Sequence, residues 1–218
     1  MKQLFLICVL VCLIFSLKTH AQKFERWEPE MKAFEEADKS NPPKKGSIVF
    51  TGSSSIRLWE NLNEYFSGKN IINRGFGGSQ TFEVTHFADR IITPYKPKQV
   101  IIYVGDNDLA SGKSAEQVVN DFKDLFTKIR QGTPKAKVTF ISIKPSPSRM
   151  KFAPQIKAAN EQIGAFLASE KNTSFIDVYT PMMLSNGKPN PILFRADSLH
   201  MTKPGYDIWA KVVKPYLK

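Results

Sequence analysis

The chain contains two cysteines, Cys8 and Cys12, and none after them. Trimmed anywhere beyond residue 12, it can have no disulfide, no thiolate zinc site and no cysteine nucleophile. Histidine is nearly as scarce, with His20, His86 and His200 the whole supply. There is no internal repeat, no low-complexity tract and no linker that would separate a second domain. A membrane-spanning helix needs about 20 consecutive apolar residues, and the one long apolar run, Leu4 to Leu17, is shorter. The formal charge is +11, but its carriers are scattered, as in Lys44-Lys45, Lys96, Lys98, Lys135, Lys137, Lys157 and Lys214. Without a basic helix or interleaved aromatics, this pattern argues against a nucleic-acid partner. It fits a solvated lysine-rich surface, or loose attraction to an anionic polymer or cell surface.

What is present begins with an export signature. Met1-Lys2-Gln3 is a short positive start, Leu4 to Leu17 supplies the apolar stretch, and Thr19-His20-Ala21 offers small residues at the first and third positions of a cleavage site. Together these read as a secretory signal peptide over residues 1–21, so that the mature protein is expected to be secreted or periplasmic. A lipid anchor on Cys12 is the weaker alternative, because Val11 stands where lipoprotein signals carry a small residue. Cleavage after Ala21 removes both cysteines and leaves 197 residues, enough for one domain with a sizeable core. Lys2 and Lys18 leave as well, taking the formal charge from +11 to +9.

Along residues 22–218 the patterning alternates. Phe24, Trp27, Met31 and Phe34 fall at helical spacing, and Ser40-Asn41-Pro42-Pro43 closes that segment. Short apolar runs follow at Ser47–Thr51, Asn70–Asn73, Gln99–Val104, Lys137–Ile143 and Ser174–Val178. Helical stretches lie between and after them, at Ile56–Tyr65, Thr81–Ile92, Ser114–Gln131, Pro154–Ser169 and Lys203–Leu217. Alternating strands and helices predict βαβ units. Continuously apolar strands such as Val100-Ile101-Ile102-Tyr103-Val104 predict a sheet buried on both faces. The expected architecture is a single three-layer α/β/α sandwich with a mostly parallel five-stranded sheet.

In such sheets ligands bind beyond the carboxyl ends of the strands. There the sequence places Thr51-Gly52-Ser53-Ser54-Ser55, then Asn73-Arg74-Gly75-Phe76-Gly77-Gly78-Ser79, then Gly105-Asp106-Asn107-Asp108. Asp197-Ser198-Leu199-His200 precedes the last helix. These four blocks, in this order from Gly52 to Tyr206, resemble those of the SGNH hydrolase superfamily, also called GDSL esterases and lipases. Asp197-x-x-His200 followed by Met201-Thr202-Lys203-Pro204-Gly205-Tyr206 is the most specific part. The resemblance implies a flavodoxin-like fold and assigns Ser54 as nucleophile. It assigns Asp197 and His200 as acid and base, and Ser54, Gly78 and Asn107 as the oxyanion donors. Ser53 stands where the family name has aspartate, a residue outside the triad. The run of three serines leaves Ser53 and Ser55 as rivals to Ser54.

Chemistry makes the same demands. A serine hydroxyl needs a base to become a nucleophile, and histidine is the natural base near neutral pH. His20 leaves with the signal and His86 falls inside a helical pattern, where a surface position is the ordinary explanation. His200 remains, with Asp197 three residues before it to orient the imidazole. Arg57, Trp59 and Arg74 fall near the expected cleft, and packing or exposure explains them as well as substrate contact does. Asp106 and Asp108 are expected to matter less than Asn107 unless they fix its loop. No cofactor and no metal are implied, since no acidic or histidine cluster joins Asp106-Asn107-Asp108 at ligand spacing.

The resulting expectation is a serine esterase acting on small esters, with acetyl groups on carbohydrate as the leading substrate by resemblance. An O-acyltransferase on sugars would use the same acyl-enzyme. A non-catalytic carbohydrate-binding module of the same fold would have no need of the Ser54, Asn107 and His200 set.

Overall fold

The computed structural model describes residues 24–218, and the signal-peptide reading of residues 1–21 lies outside them. The described residues divide into two compact units, one ending at Asn41 and the other running Pro42–Lys218. In the first, helix α1 (Glu28–Ser40) has Pro29 in its first turn, with Glu28 and Glu30 beside it and Lys39 in its last turn. That placement of charge complements the helix dipole. Among the described residues no helix is long and apolar enough to cross a membrane.

The second unit is built on five strands: β1 (Ile48–Gly52), β2 (Ile71–Gly75), β3 (Gln99–Tyr103), β4 (Lys137–Ile141) and β5 (Thr173–Ile176). Their order is β2-β1-β3-β4-β5 and every pairing is parallel, where the sequence suggests a mostly parallel sheet. All five residues of β1 and of β3 are buried, which is why both strands read as unbroken apolar runs. Alternate side chains face opposite layers. Ile48, Phe50, Ile101 and Tyr103 join one core cluster with Ile56, Trp59, Leu62, Tyr206 and Trp209. These come from α2 (Ser54–Arg57), α3 (Leu62–Tyr65), the link between them and the last helix, α8 (Lys203–Val213). In the other layer α4 (Thr81–Ile91) packs on α6 (Ala115–Gly132), which packs on α7 (Ala153–Ser169). Phe122 of α6 meets Phe140 of β4 edge-on at 4.8 Å between ring centroids. The three-layer sandwich is therefore present.

Three boundaries differ from the patterning, each for a packing reason. Ile56–Tyr65 is two short helices because the chain kinks to bury Trp59 among Phe50, Phe66, Tyr206 and Trp209. Lys203–Leu217 ends its α-helix at Val213, where Pro215 cannot continue the hydrogen-bond ladder. Asp106–Ala110, to which the patterning assigns no element, closes into a five-residue helix, α5.

The strand-to-helix turn after β1 is set by a close approach. Gly52 has φ of 128°, and a Cβ there would lie 1.9 Å from the Tyr103 carbonyl oxygen. The next residue uses that oxygen, since Ser53 N–H donates to it at 3.0 Å. Gly52→Ala should therefore destabilise the protein by about 3 kcal/mol or more, combining an unfavourable φ with a backbone clash. Chemical denaturation measures it, and a loss under ~1 kcal/mol would show that the turn is not so constrained.

Candidate active site

Three of the four blocks follow strands at one edge of the sheet, and hydrogen bonds bring the fourth to them. Beyond β1 the chain enters α2, and the three serines take different environments. Ser53 and Ser55 are buried, at 0% and 1% exposure. The Ser54 hydroxyl lies 3.0 Å from Nε2 of His200, 146 residues later in the chain. The geometry thus distinguishes Ser54 from its two neighbours, which sequence reasoning left open.

His200 is held from its other side. Its Nδ1 lies 2.6 Å from Oδ2 of Asp197. The second oxygen of that carboxylate accepts the backbone N–H groups of Leu199 and His200, both at 2.9 Å. One short acid therefore both folds the loop and orients the ring. Ser198 takes a left-handed φ of 56°, its carbonyl accepting the Ser148 N–H at 3.0 Å. Partial burial opposes ionisation of Asp197, but the His200 ring and the two backbone donors outweigh it and hold the carboxyl down at about 2. The stretch that follows is tied to the serine turn, because Tyr206 in α8 donates its hydroxyl proton to the Ser55 carbonyl at 3.0 Å. Tyr206 also stacks on Trp59 at 5.4 Å between centroids. Two helices bonded in this way set the distance from Ser54 to His200.

The expected oxyanion donors come to the same edge. Asn73, in the middle of β2, donates from Nδ2 to the Ile56 carbonyl at 2.8 Å, fastening the second block to α2. Gly78 has a left-handed φ of 76° in the turn before α4. Asn107 of α5 donates from Nδ2 to the Ser79 carbonyl at 3.0 Å, which places its amide beside that turn. Asp108, fully buried, accepts the Thr81 N–H at 3.1 Å and pairs with Lys113 at 2.9 Å. Burial pushes its carboxyl above the ordinary range, against the opposing pull of Lys113 and Thr81. Asp108 therefore does fix the loop.

The remaining candidates separate clearly. Trp59 is 1% exposed and belongs to the core. Arg74 is buried, donating to the Tyr95 hydroxyl at 2.7 Å and to the Asn73 carbonyl at 2.8 Å. Arg57 is exposed, its guanidinium lying over Gly77. His86 is exposed on α4, away from the serine–imidazole pair. Sequence reasoning missed Tyr206 as a tie to the serine turn and Lys144 as a buried cation beside Asp106; nothing in local spacing signals either partner. Among the described residues, no group of three or more His, Cys, Asp or Glu is gathered so as to hold a metal ion.

An all-parallel sandwich of this strand order, with serine, imidazole and carboxylate in hydrogen-bond contact at one sheet edge, is of the SGNH hydrolase class of carboxylic ester hydrolases. The sequence pattern of the GDSL-like Lipase/Acylhydrolase family matches residues 46–208, about three-quarters of the chain, and the protein belongs to that family. The Platelet-activating factor acetylhydrolase IB subunit alpha1 of Bos taurus is 28% identical over 172 residues, which are 75% of this chain and 71% of that protein. A GDSL-like lipase from Bacteroides thetaiotaomicron superposes with a TM-score of 0.70 at 24% identity, covering 88% of this chain and 96% of that one. A carbohydrate esterase family 3 structure from Talaromyces cellulolyticus gives 0.60 at 17% identity, covering 78% and 95%.

The hydrogen bonds around Asp197 imply a definite titration. A depressed carboxyl stays ionised as pH falls past the ordinary value of 3.8, and the stability it contributes is lost progressively as pH falls from about 3.8 through about 2. Carbon-13 carboxyl NMR should find the Asp197 midpoint near 2. A midpoint at or above 3.8 would mean that the imidazole and backbone donors do not hold this acid in solution.

Proposed function

We propose that the protein is an exported esterase that removes short acyl groups, acetyl foremost, by serine catalysis at Ser54, His200 and Asp197. The observation that carries this reading is the continuous hydrogen-bonded chain from Asp197 through His200 to the Ser54 hydroxyl. With Nδ1–H donated to Asp197, Nε2 is free to accept the serine proton. Ser54 Oγ then bonds to the ester carbonyl carbon as His200 takes the proton. The carbonyl oxygen becomes an oxyanion facing the Ser54 and Gly78 N–H groups and the Asn107 amide. Collapse of this intermediate breaks the bond to the alkoxy oxygen, which leaves with the proton from His200. Water, deprotonated by the same imidazole, then attacks the acyl-enzyme and releases the acid and Ser54. Asp197 remains ionised throughout and steadies the imidazolium.

The acetyl preference draws support from the name of the Bos taurus relative, an acetylhydrolase. It is also supported by a structural neighbour described as an acetyl esterase with acetate ion. Carbohydrate as the carrier of the acetyl group rests on the Talaromyces cellulolyticus neighbour together with the resemblance already described. Export rests on the signal-like residues 1–21.

Fluorophosphonate labelling followed by a chromogenic acetate-ester assay tests the reading. Ser54→Ala should abolish labelling and lower kcat by about 10⁶, the loss typical of a triad nucleophile. His200→Ala should come close to that, whereas His86→Ala should leave the rate nearly unchanged. If Ser53→Ala or Ser55→Ala abolishes turnover and Ser54→Ala does not, the nucleophile is misplaced. Asn107→Ala should lower kcat by about 10²–10³ with a smaller change in KM, because its amide meets charge that develops in the transition state. Retention of full kcat would remove Asn107 from the oxyanion hole.

A further inference from the structure

Directly behind Asn107 lies a buried ion pair that the catalytic cycle does not use. Lys144 Nζ is 3.2 Å from Oδ2 of Asp106, and the two side chains are 1% and 5% exposed. The same ammonium lies 3.1 Å from the hydroxyl of Tyr103, which is itself fully buried. Asp106 immediately precedes Asn107, and Lys144 lies three residues beyond the end of β4.

Taking two charges out of water costs several kcal/mol per ion, and an apolar pair of similar volume often serves stability as well or better. Folding alone therefore gives a weak reason for this pair. Its position gives a better one. Helix α5 has five residues, too few to hold its own shape without outside contacts. It starts at Gly105, whose φ is 110° and where a Cβ would lie 2.6 Å from the Ile143 side chain. The end of β4 thus meets the start of α5 twice, through Ile143 on Gly105 and through Lys144 on Asp106. On the other side of Asn107, Asp108 is bonded to Thr81 at the start of α4. The asparagine sits between two buried carboxylates anchored to two different elements, and its amide donates to the Ser79 carbonyl between them.

We propose that Lys144 and Asp106 are positioning residues, whose buried charge pair holds the Asn107 amide where the oxyanion forms. Resting on the assignment of Asn107 as an oxyanion donor, this adds a buried residue from the segment after β4, one that acts only through Asn107. A neutral pair of the same bulk would fill the space without the directional bond from Nζ to Oδ2, and the amide would lose its register.

The test separates positioning from folding. Lys144→Met and Asp106→Leu alone each leave a buried charge without its counter-charge, and should lower both Tm and kcat. The double variant, with neither charge, should regain most of the lost Tm while kcat stays about 10–100-fold below the unmodified protein, the loss expected for a small displacement of a catalytic group. KM for the chromogenic acetate ester should change by less than ~3-fold. Adding Asn107→Ala to the double variant should cost less than ~3-fold beyond Asn107→Ala alone, because both act through one amide. The Asn107 side-chain signal in nitrogen-15 NMR should shift or broaden in the double variant. Recovery of full kcat with Tm would overturn the proposal, as would multiplicative losses with Asn107→Ala. Should the unmodified protein turn over no ester, the esterase reading fails by itself, and an unmoved Asn107 signal in the double variant would then overturn the positioning role.

Discussion

The approach of Gly52 to the Tyr103 carbonyl is the contact on which the catalytic edge depends. Two central parallel strands end side by side there, and one must turn into a helix within a single residue of the other's last peptide. Only a residue without Cβ leaves that carbonyl free to accept the Ser53 N–H. Once the turn is made, Ser53 and Ser55 face inward and Ser54 meets His200. Asn73 then fastens the second block to the same helix, and Tyr206 fastens the last. Each bond fixes one of the candidate blocks relative to this one turn rather than to its own strand. That economy would suit the proposed serine mechanism, since a displacement of 1 Å at a reacting group can cost about 10² in rate.

Electrostatics at this edge divides into two kinds of work. Asp197 is partly exposed, and the donors that serve its charge hold its carboxyl below the ordinary range. Asp106 and Asp108 are buried, and their charges are met by Lys144 and Lys113 rather than by water. Under the proposed mechanism the first arrangement would steady an imidazolium formed during reaction. The second ties the short helix α5 to its neighbours, at the cost of burying Asp106, Asp108 and Lys144. The Ser54, His200 and Asp197 side chains lie at the accessible face of this edge, and Asp106 and Asp108 of the Gly-Asp-Asn-Asp block, paired with Lys144 and Lys113, lie buried behind them.

Much of this was legible along the chain because the sheet is parallel and doubly covered. Buried central strands must be apolar at every position, so β1 and β3 were visible as short unbroken runs. The helices of the other layer were visible from the spacing of residues such as Val118, Phe122, Leu125 and Ile129 on α6. The kink at Trp59 was not, because helical spacing continues across it and only the aromatic cluster of Phe50, Phe66, Tyr206 and Trp209 pulls the side chain inward. Trp59 and Arg74, which the sequence left as alternatives for substrate contact, are explained by packing and by bonds to Tyr95 and Asn73.

The sequence by itself determined the fold class and the sheet edge on which the serine, glycine and asparagine blocks gather, and its resemblance to a family named the residues proposed to act there. It could do so because strand periodicity, glycine at forced turns and the scarcity of histidine are local properties of a chain. Tertiary structure alone decided which of three adjacent serines meets the base, since that depends on the direction of each Cβ in a turn shaped by Tyr103. It alone decided that Asp106 reaches Lys144, 38 residues away, and that Tyr206 reaches Ser55 across 151. A side chain's partner in a parallel sandwich comes from a neighbouring crossover, and the spacing along the chain carries no record of which crossover lies beside it.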